Sequence, residues 1–169
     1  LAGAARIAPL VYRYRDDPER LVEAARRQTA LTHNSPLVID SAEFFARAAC
    51  GALHGLAAGE ALRRSAADSA TGGPIAEWVD SGLRSAESDT RTAILEFGQM
   101  CEVEAAFPAA IHLIAKYENR LEEGLIENVM AGGDSAGLGL AVGMLLGARA
   151  GMQAIPRRWL EGLTARATI

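Results

Sequence analysis

The segment GGDSAGLGLAVGMLLGARAG, residues 132–151, is the most regular stretch of the chain. Glycine recurs at every fourth position from Gly139 to Gly151, and this spacing places one small residue per turn on a single helix face. Two glycines allow a tight backbone path just before Asp134, which stands at the helix N-cap. The pattern predicts a helix from Asp134 to Gly151 whose glycine face lets a neighbouring backbone come close.

Helical periodicity extends over most of the remaining sequence. The predicted helices cover residues 18–31, 36–56, 59–67, 74–85, 105–117, 121–130 and the surroundings of Trp159 and Leu160. Residues 71–74 form the clearest turn signal, and residues 86–104 are predicted as loop with at most short helices. Since no stretch alternates with period two, and 34 alanines and 17 glycines favour closely packed helices, we predict an all-α fold.

Composition excludes several classes of protein. A net charge of −4 without a basic block argues against a nucleic-acid-binding module, because phosphate neutralisation needs clustered Lys and Arg. Cys50 and Cys101 cannot make a disulfide framework, and the first residues lack the pattern of a secretion signal, so we expect a cytoplasmic protein. The uncharged run 135–148 would extend about 21 Å as a helix. This is short of the roughly 30 Å of a bilayer core, so no membrane association is expected.

Asp134 has two interpretations from the residues alone. The free N–H groups and dipole of a helix N-terminus favour an anion, and a carboxylate there can be a metal ligand. The simpler interpretation, which we favour, is that Asp134 caps its own helix.

Other polar residues have ordinary interpretations. His54 and His112 lie in apolar helical stretches and are expected to be packed, and Cys50 and Cys101 are expected to be small buried thiols. Glu102 and Glu104 would diverge on a helix but converge in a loop, and a solvated pair is the default.

Four stretches resemble one family. Gly132-Gly133-Asp134 with its small-residue helix, and the tail GMQAIPRRWL at 151–160, are similar to the C-terminal signature of the ADP-ribosylglycohydrolases, a family that also includes jellyfish crystallins. RIAP at 6–9 and LTHNSP at 31–36 agree with it. The resemblance implies a compact, orthogonal, multi-helix globule. It also implies that residues 1–169 form one domain that is the C-terminal half of a larger all-helical domain.

The resemblance also implies an activity. Family members hold two Mg²⁺ ions in a cleft, where a metal-activated water attacks the anomeric carbon of an ADP-ribosyl link. Asp134 would be a metal ligand and His33 would line the pocket for the ribose or diphosphate of ADP-ribose or an ADP-ribosylated substrate. The remaining expected ligand contacts are Gly3, Arg6, Gly132, Gly133 and Ser135.

The sequence departs from the family pattern at the metal motif. The family reads Gly-Gly-Asp-Thr-Asp-Thr, but Ala136 and Gly137 replace the second Asp and the last Thr, and Leu1-Ala2 replaces an Asn-Gly. The Thr-Asp-Asp cluster of the N-terminal half is not in this sequence, and one carboxylate cannot assemble a two-Mg²⁺ centre. A divergent branch of the family suggests that Gln99 and Cys101 line an altered cleft.

Three functions follow as hypotheses, with the catalytic residues unassigned. The first is a hydrolase of a glycosidic bond to ADP-ribose or a related ribosyl group, dependent on Mg²⁺ if active. The second is a non-catalytic binding or structural member of the family. The third is a helical interaction module with no ligand, in which the apolar residues 1–10 form a docking edge. Those residues are better explained as a surface that packs against residues absent from this sequence. The expected partners therefore include a missing N-terminal half or another copy of the chain.

Overall fold

The computed structural model describes residues 1–68 and 73–165, and within them the chain forms α-helices and two 3₁₀ turns with no β-strand. The α-helices are α1 Ala2–Ala5, α2 Ala8–Arg13, α3 Pro18–Ala30, α4 Pro36–Leu53, α5 Ala58–Asp68, α6 Ile75–Arg84, α7 Thr90–Phe97, α8 Val103–Lys116, α9 Leu121–Ala131, α10 Ser135–Ala150 and α11 Arg157–Glu161. The prediction of an all-α fold is confirmed. No helix in the described part of the chain is long and apolar enough to cross a membrane.

Most of the apolar residues at the N-terminus pack inside this chain, while Ala8 and Pro9 are exposed. Leu1, Ala4, Ala5 and Ile7 are all buried within this chain. They lie on α1 and on the link to α2, and α1 packs against α3, α4 and α10. The apolar start of the sequence is therefore part of the core.

One short helix, α7, falls in the segment that was predicted as loop with at most short helices. Asp89 caps it by accepting a hydrogen bond from the Thr92 N–H, and Ala93 and Ile94 are buried beneath it. The isolated hydrophobic residues of this segment follow helical spacing over only two turns, which is too short for periodicity to detect. The predicted turn at 71–74 lies partly outside the described residues, which resume at Gly73.

Helix α4 lies at the centre of the fold. It packs against α1, α3, α5 and α10, and four of its alanines (Ala42, Ala46, Ala48 and Ala49) are fully buried. Phe44 and Phe45 meet Phe107 of α8 with ring centroids 4.9 and 5.1 Å apart, and Trp78 of α6 completes the aromatic cluster. The alanines therefore let neighbouring helices approach, while a few large rings fill the remaining space.

The glycine face of α10 does not serve the predicted purpose. A Cβ on Gly139 or Gly143 would meet only side chains, and a Cβ on Gly147 would meet nothing within 4 Å. Leucine, alanine and valine make the buried face of α10 instead. The close helix approach occurs at Gly82 of α6, where a Cβ would lie 2.7 Å from the carbonyl oxygen of Pro108 in α8.

His112 is fully buried in α8 and both of its ring nitrogens have hydrogen-bond partners. Nδ1 lies 2.8 Å from Oγ of Ser85, whose hydroxyl donates to the Gly82 carbonyl. Nε2 lies 3.2 Å from Oγ1 of Thr90, which is 2.7 Å from the Tyr117 hydroxyl. Burial, assisted by the nearby Lys116 charge, lowers the pKa of His112 from 6.5 to about 4. The prediction of a packed histidine is confirmed.

We expect the protein to lose stability as the pH falls from 6.5 to 4. In this window an unfolded His112 takes up a proton while the folded, buried ring stays neutral, and the loss reaches about 3 kcal/mol at the acid end. Urea unfolding at several pH values measures it. The His112→Gln variant should show a shallower dependence, and His54→Gln, at an exposed position, should not differ from wild type. Equal slopes in wild type and His112→Gln would contradict the assignment.

Candidate functional site

A cleft of about 490 Å³ lies where the start of α1, the α3–α4 connection and the start of α8 meet. Its lining includes Leu1, Ala2, His33, Ser35, Cys101, Glu102 and Glu104. Segments that are distant in sequence thus meet in one concave surface, whose size suits a small ligand.

Glu102 and Glu104 both line this cleft. Glu102 is in extended conformation just before α8, with ψ of 143°, and Glu104 lies in the first turn of that helix. Because the backbone changes conformation between them, residues two apart face one cavity. Both side chains are exposed, which agrees with the expectation of a solvated pair. Together they make this part of the cleft acidic.

Gly3, Arg6 and His33 form one contact cluster at the edge of the cleft. A Cβ on Gly3 would lie 2.8 Å from Cγ of His33, so only glycine leaves room for the ring. Arg6 Nη2 donates to Thr32 Oγ1 at 2.5 Å, and the same oxygen lies 2.9 Å from Nδ1 of His33. Sequence reasoning did not single out Thr32, although it directly precedes His33, because a hydroxyl next to a histidine carries no signal of its own.

The Gly132-Gly133 turn is supported by Gln99. Both glycines have positive φ, of 80° and 79°, which favours glycine at these positions. Gln99 Nε2 donates to the Ala131 carbonyl at 2.6 Å, and a Cβ on Gly133 would lie 3.1 Å from Cα of Gln99. The side chain of Gln99 therefore packs against the turn that leads into Asp134.

Asp134 caps α10. Its Oδ1 accepts a hydrogen bond from the Gly137 N–H at 3.0 Å, and a Cβ at Gly137 would overlap Oδ2 of the same carboxylate. The carboxylate thus occupies the space that a threonine at position 137 would need. Ser135 follows in the first turn, and its carbonyl accepts from Asn128 Nδ2 at 2.8 Å.

The described residues do not assemble a metal centre. Residues 1–68 and 73–165 contain no group of three or more His, Cys, Asp or Glu side chains that could hold a metal ion. Mg²⁺ needs several oxygen ligands in near-octahedral geometry, and Asp134 offers one carboxylate that is already engaged as a cap. The residues present therefore do not fit the two-Mg²⁺ centre that the family resemblance implies.

The start of α1 is joined to the segment before α8. The Leu1 nitrogen donates to the Cys101 carbonyl at 2.9 Å. Leu1 and Cys101 both line the cleft, so this bond holds two of its walls together.

Two polar residues are more exposed than expected. Cys101 is exposed on the cleft, not buried, because it lies in an irregular segment that no helix covers. His54 is exposed since α4 ends at Leu53, and its Nδ1 lies 2.9 Å from the Cys50 carbonyl. Cys50 is buried as expected, and burial raises the pKa of its thiol.

Comparison with known proteins gives one family. The family model described as ADP-ribosylglycohydrolase matches residues 2–169. No curated protein matches the chain.

We expect Asp134→Ala to destabilise the protein by about 1 kcal/mol, the usual cost of losing a helix N-cap. Asp134→Ser should keep most of the stability, because a serine hydroxyl can accept the same N–H bond. Urea unfolding with and without Mg²⁺ provides the measurement. If Mg²⁺ stabilised the wild type and neither variant, Asp134 would be acting as a metal ligand and the cap would not be its main role.

Proposed function

The chain belongs to the ADP-ribosylglycohydrolase family, and on this premise we propose that it hydrolyses a glycosidic bond to ADP-ribose or a related ribosyl group. The observation that carries the proposal is the meeting of Gly3, Arg6 and His33 beside a cleft of about 490 Å³. These are residues that the family resemblance assigns to ligand contact, and the fold brings them together from two distant segments.

The chemistry of the cleft suits a ribosyl group. The carboxylates of Glu102 and Glu104 accept hydrogen bonds from sugar hydroxyls, and a carboxylate in such a place can take a proton from an attacking water. The same carboxylates repel a diphosphate. We therefore place the ribose towards α8 and the diphosphate towards His33 and the N-terminal backbone near Gly3.

Mg²⁺ enters only as an expectation from the family. Among the described residues, Asp134 is the single carboxylate of the family's metal motif, so no step of the reaction is assigned to a metal. We further propose that this chain forms the C-terminal half of a larger all-helical domain. The rest of that domain would contribute the other metal ligands. The proposal also includes a cytoplasmic location.

We expect calorimetry to detect saturable binding of ADP-ribose. His33→Ala should weaken the affinity about tenfold, because a hydrogen bond to a charged ligand is lost together with the ring contact. His54→Ala is the matched control, since His54 is exposed and does not line the cleft, and it should bind like wild type. Titrations with and without Mg²⁺ reveal any metal dependence. Absence of heat under both conditions would count decisively against the proposal.

A second candidate function is a non-catalytic member that keeps the fold and binds a ligand or serves a structural role. The engagement of Asp134 with the Gly137 N–H favours it, because the carboxylate that would ligate Mg²⁺ is held by its own helix. Ala136 also provides no oxygen ligand at the position of the second family aspartate.

Restoring the family motif separates the two candidates. In the double variant Ala136→Asp/Gly137→Thr, the threonine displaces the Asp134 carboxylate from its cap, and two further oxygen ligands join it. If only the ligands are missing, calorimetry should show Mg²⁺ binding that wild type lacks. Ala136→Asn/Gly137→Val, of similar shape without the carboxylate and hydroxyl, is the control. Continued absence of binding in the restored variant would mean that the cleft itself has changed.

A further inference from the structure

One edge of the His33 ring rests on the backbone of Gly3. A Cβ on Gly3 would lie 2.9 Å from both Cβ and Nδ1 of His33, so this edge faces the protein. Nε2 lies at the far end of the ring and has no hydrogen-bond partner within the described part of the chain. Because His33 lines the cleft, Nε2 is the ring nitrogen that a ligand there can reach.

The hydroxyl of Thr32 determines what happens at the other nitrogen. Arg6 Nη2 lies 2.5 Å from Thr32 Oγ1, and a guanidinium can only donate, so the hydroxyl oxygen accepts this bond. The hydroxyl has one proton of its own, and the acceptor it reaches among the described residues is Nδ1 of His33, 2.9 Å away. The charge on Arg6 also strengthens the hydroxyl as a donor.

This chain of donors favours one form of the imidazole, in which the Thr32 hydroxyl accepts from Arg6 and donates to Nδ1. When Nδ1 accepts a hydrogen bond it carries no proton, and a neutral histidine then carries its proton on Nε2. The opposite tautomer would place two protons between Thr32 and His33, or would turn the threonine proton away from its acceptor. In this tautomer the Nε2 end of the ring presents an N–H donor.

We propose that Arg6 and Thr32 are positioning residues that hold His33 in its Nε2–H form, so that His33 donates a hydrogen bond to a diphosphate oxygen of the bound ADP-ribosyl ligand. A ring in this form has no free lone pair in the cleft, and His33 therefore does not act as the general base of the hydrolysis. The ligand part of this inference rests on the proposed function, whereas the tautomer belongs to the free protein.

Nitrogen NMR of the histidine side chains tests the tautomer directly. In wild type, His33 should show a protonated Nε2 and an unprotonated Nδ1. Thr32→Val removes the hydroxyl at an exposed position, and the His33 signals should shift towards a mixture of tautomers. Thr32→Ser should restore the wild-type signals, and Leu31→Ala, at the neighbouring exposed residue, should leave them unchanged.

Calorimetry with ADP-ribose tests the ligand part on the same variants. Thr32→Val should bind about tenfold more weakly than wild type, the effect of one poorly oriented hydrogen bond, and Thr32→Ser should bind like wild type. A wild-type His33 protonated on Nδ1, or unchanged His33 signals in Thr32→Val, would overturn the inference. If the tautomer shifts as expected but wild type does not bind ADP-ribose, the tautomer assignment stands and the proposed function falls.

Discussion

Close packing around α4 is the constraint on which the structure depends. Four fully buried alanines let α1, α3, α5 and α10 contact one helix, and the aromatic cluster with Phe107 joins it to α8. The cleft is a consequence, since α1, the α3–α4 connection and the start of α8 converge at one end of this helix. A larger residue at any of these fully buried alanines has no room unless a neighbouring helix moves.

Much of the fold could be predicted from the sequence because long amphipathic helices leave a strong periodic signal. The predicted helices at 18–31 and 121–130 agree with α3 and α9 to within a residue. The periodic signal fails where a helix is short or where an apolar stretch fits two different environments. Helix α7 has only eight residues, and the apolar residues 1–10 have the same composition whether they pack inward or onto a partner.

Part of the site could be predicted from the sequence. The rest could not, and the reason is physical. A family motif identifies Gly3, His33 and Asp134, but it does not show how their side chains are engaged. That Gln99 supports the glycine turn, and that Thr32 links Arg6 to His33, depends on contacts between segments 26 or more residues apart. The four-residue glycine spacing of α10 led to a wrong prediction of close helix packing for a related reason. Spacing defines a face of a helix, but it does not show what packs against that face.

The cap at the start of α10 couples helix stability to ligand supply. The Asp134 carboxylate accepts from the Gly137 N–H and occupies the space that a threonine at position 137 would need. A carboxylate that turns away towards a ligand leaves an N–H of the first turn of α10 without its acceptor. Any ligand of Asp134 must therefore compensate for the loss of a helix cap, about 1 kcal/mol.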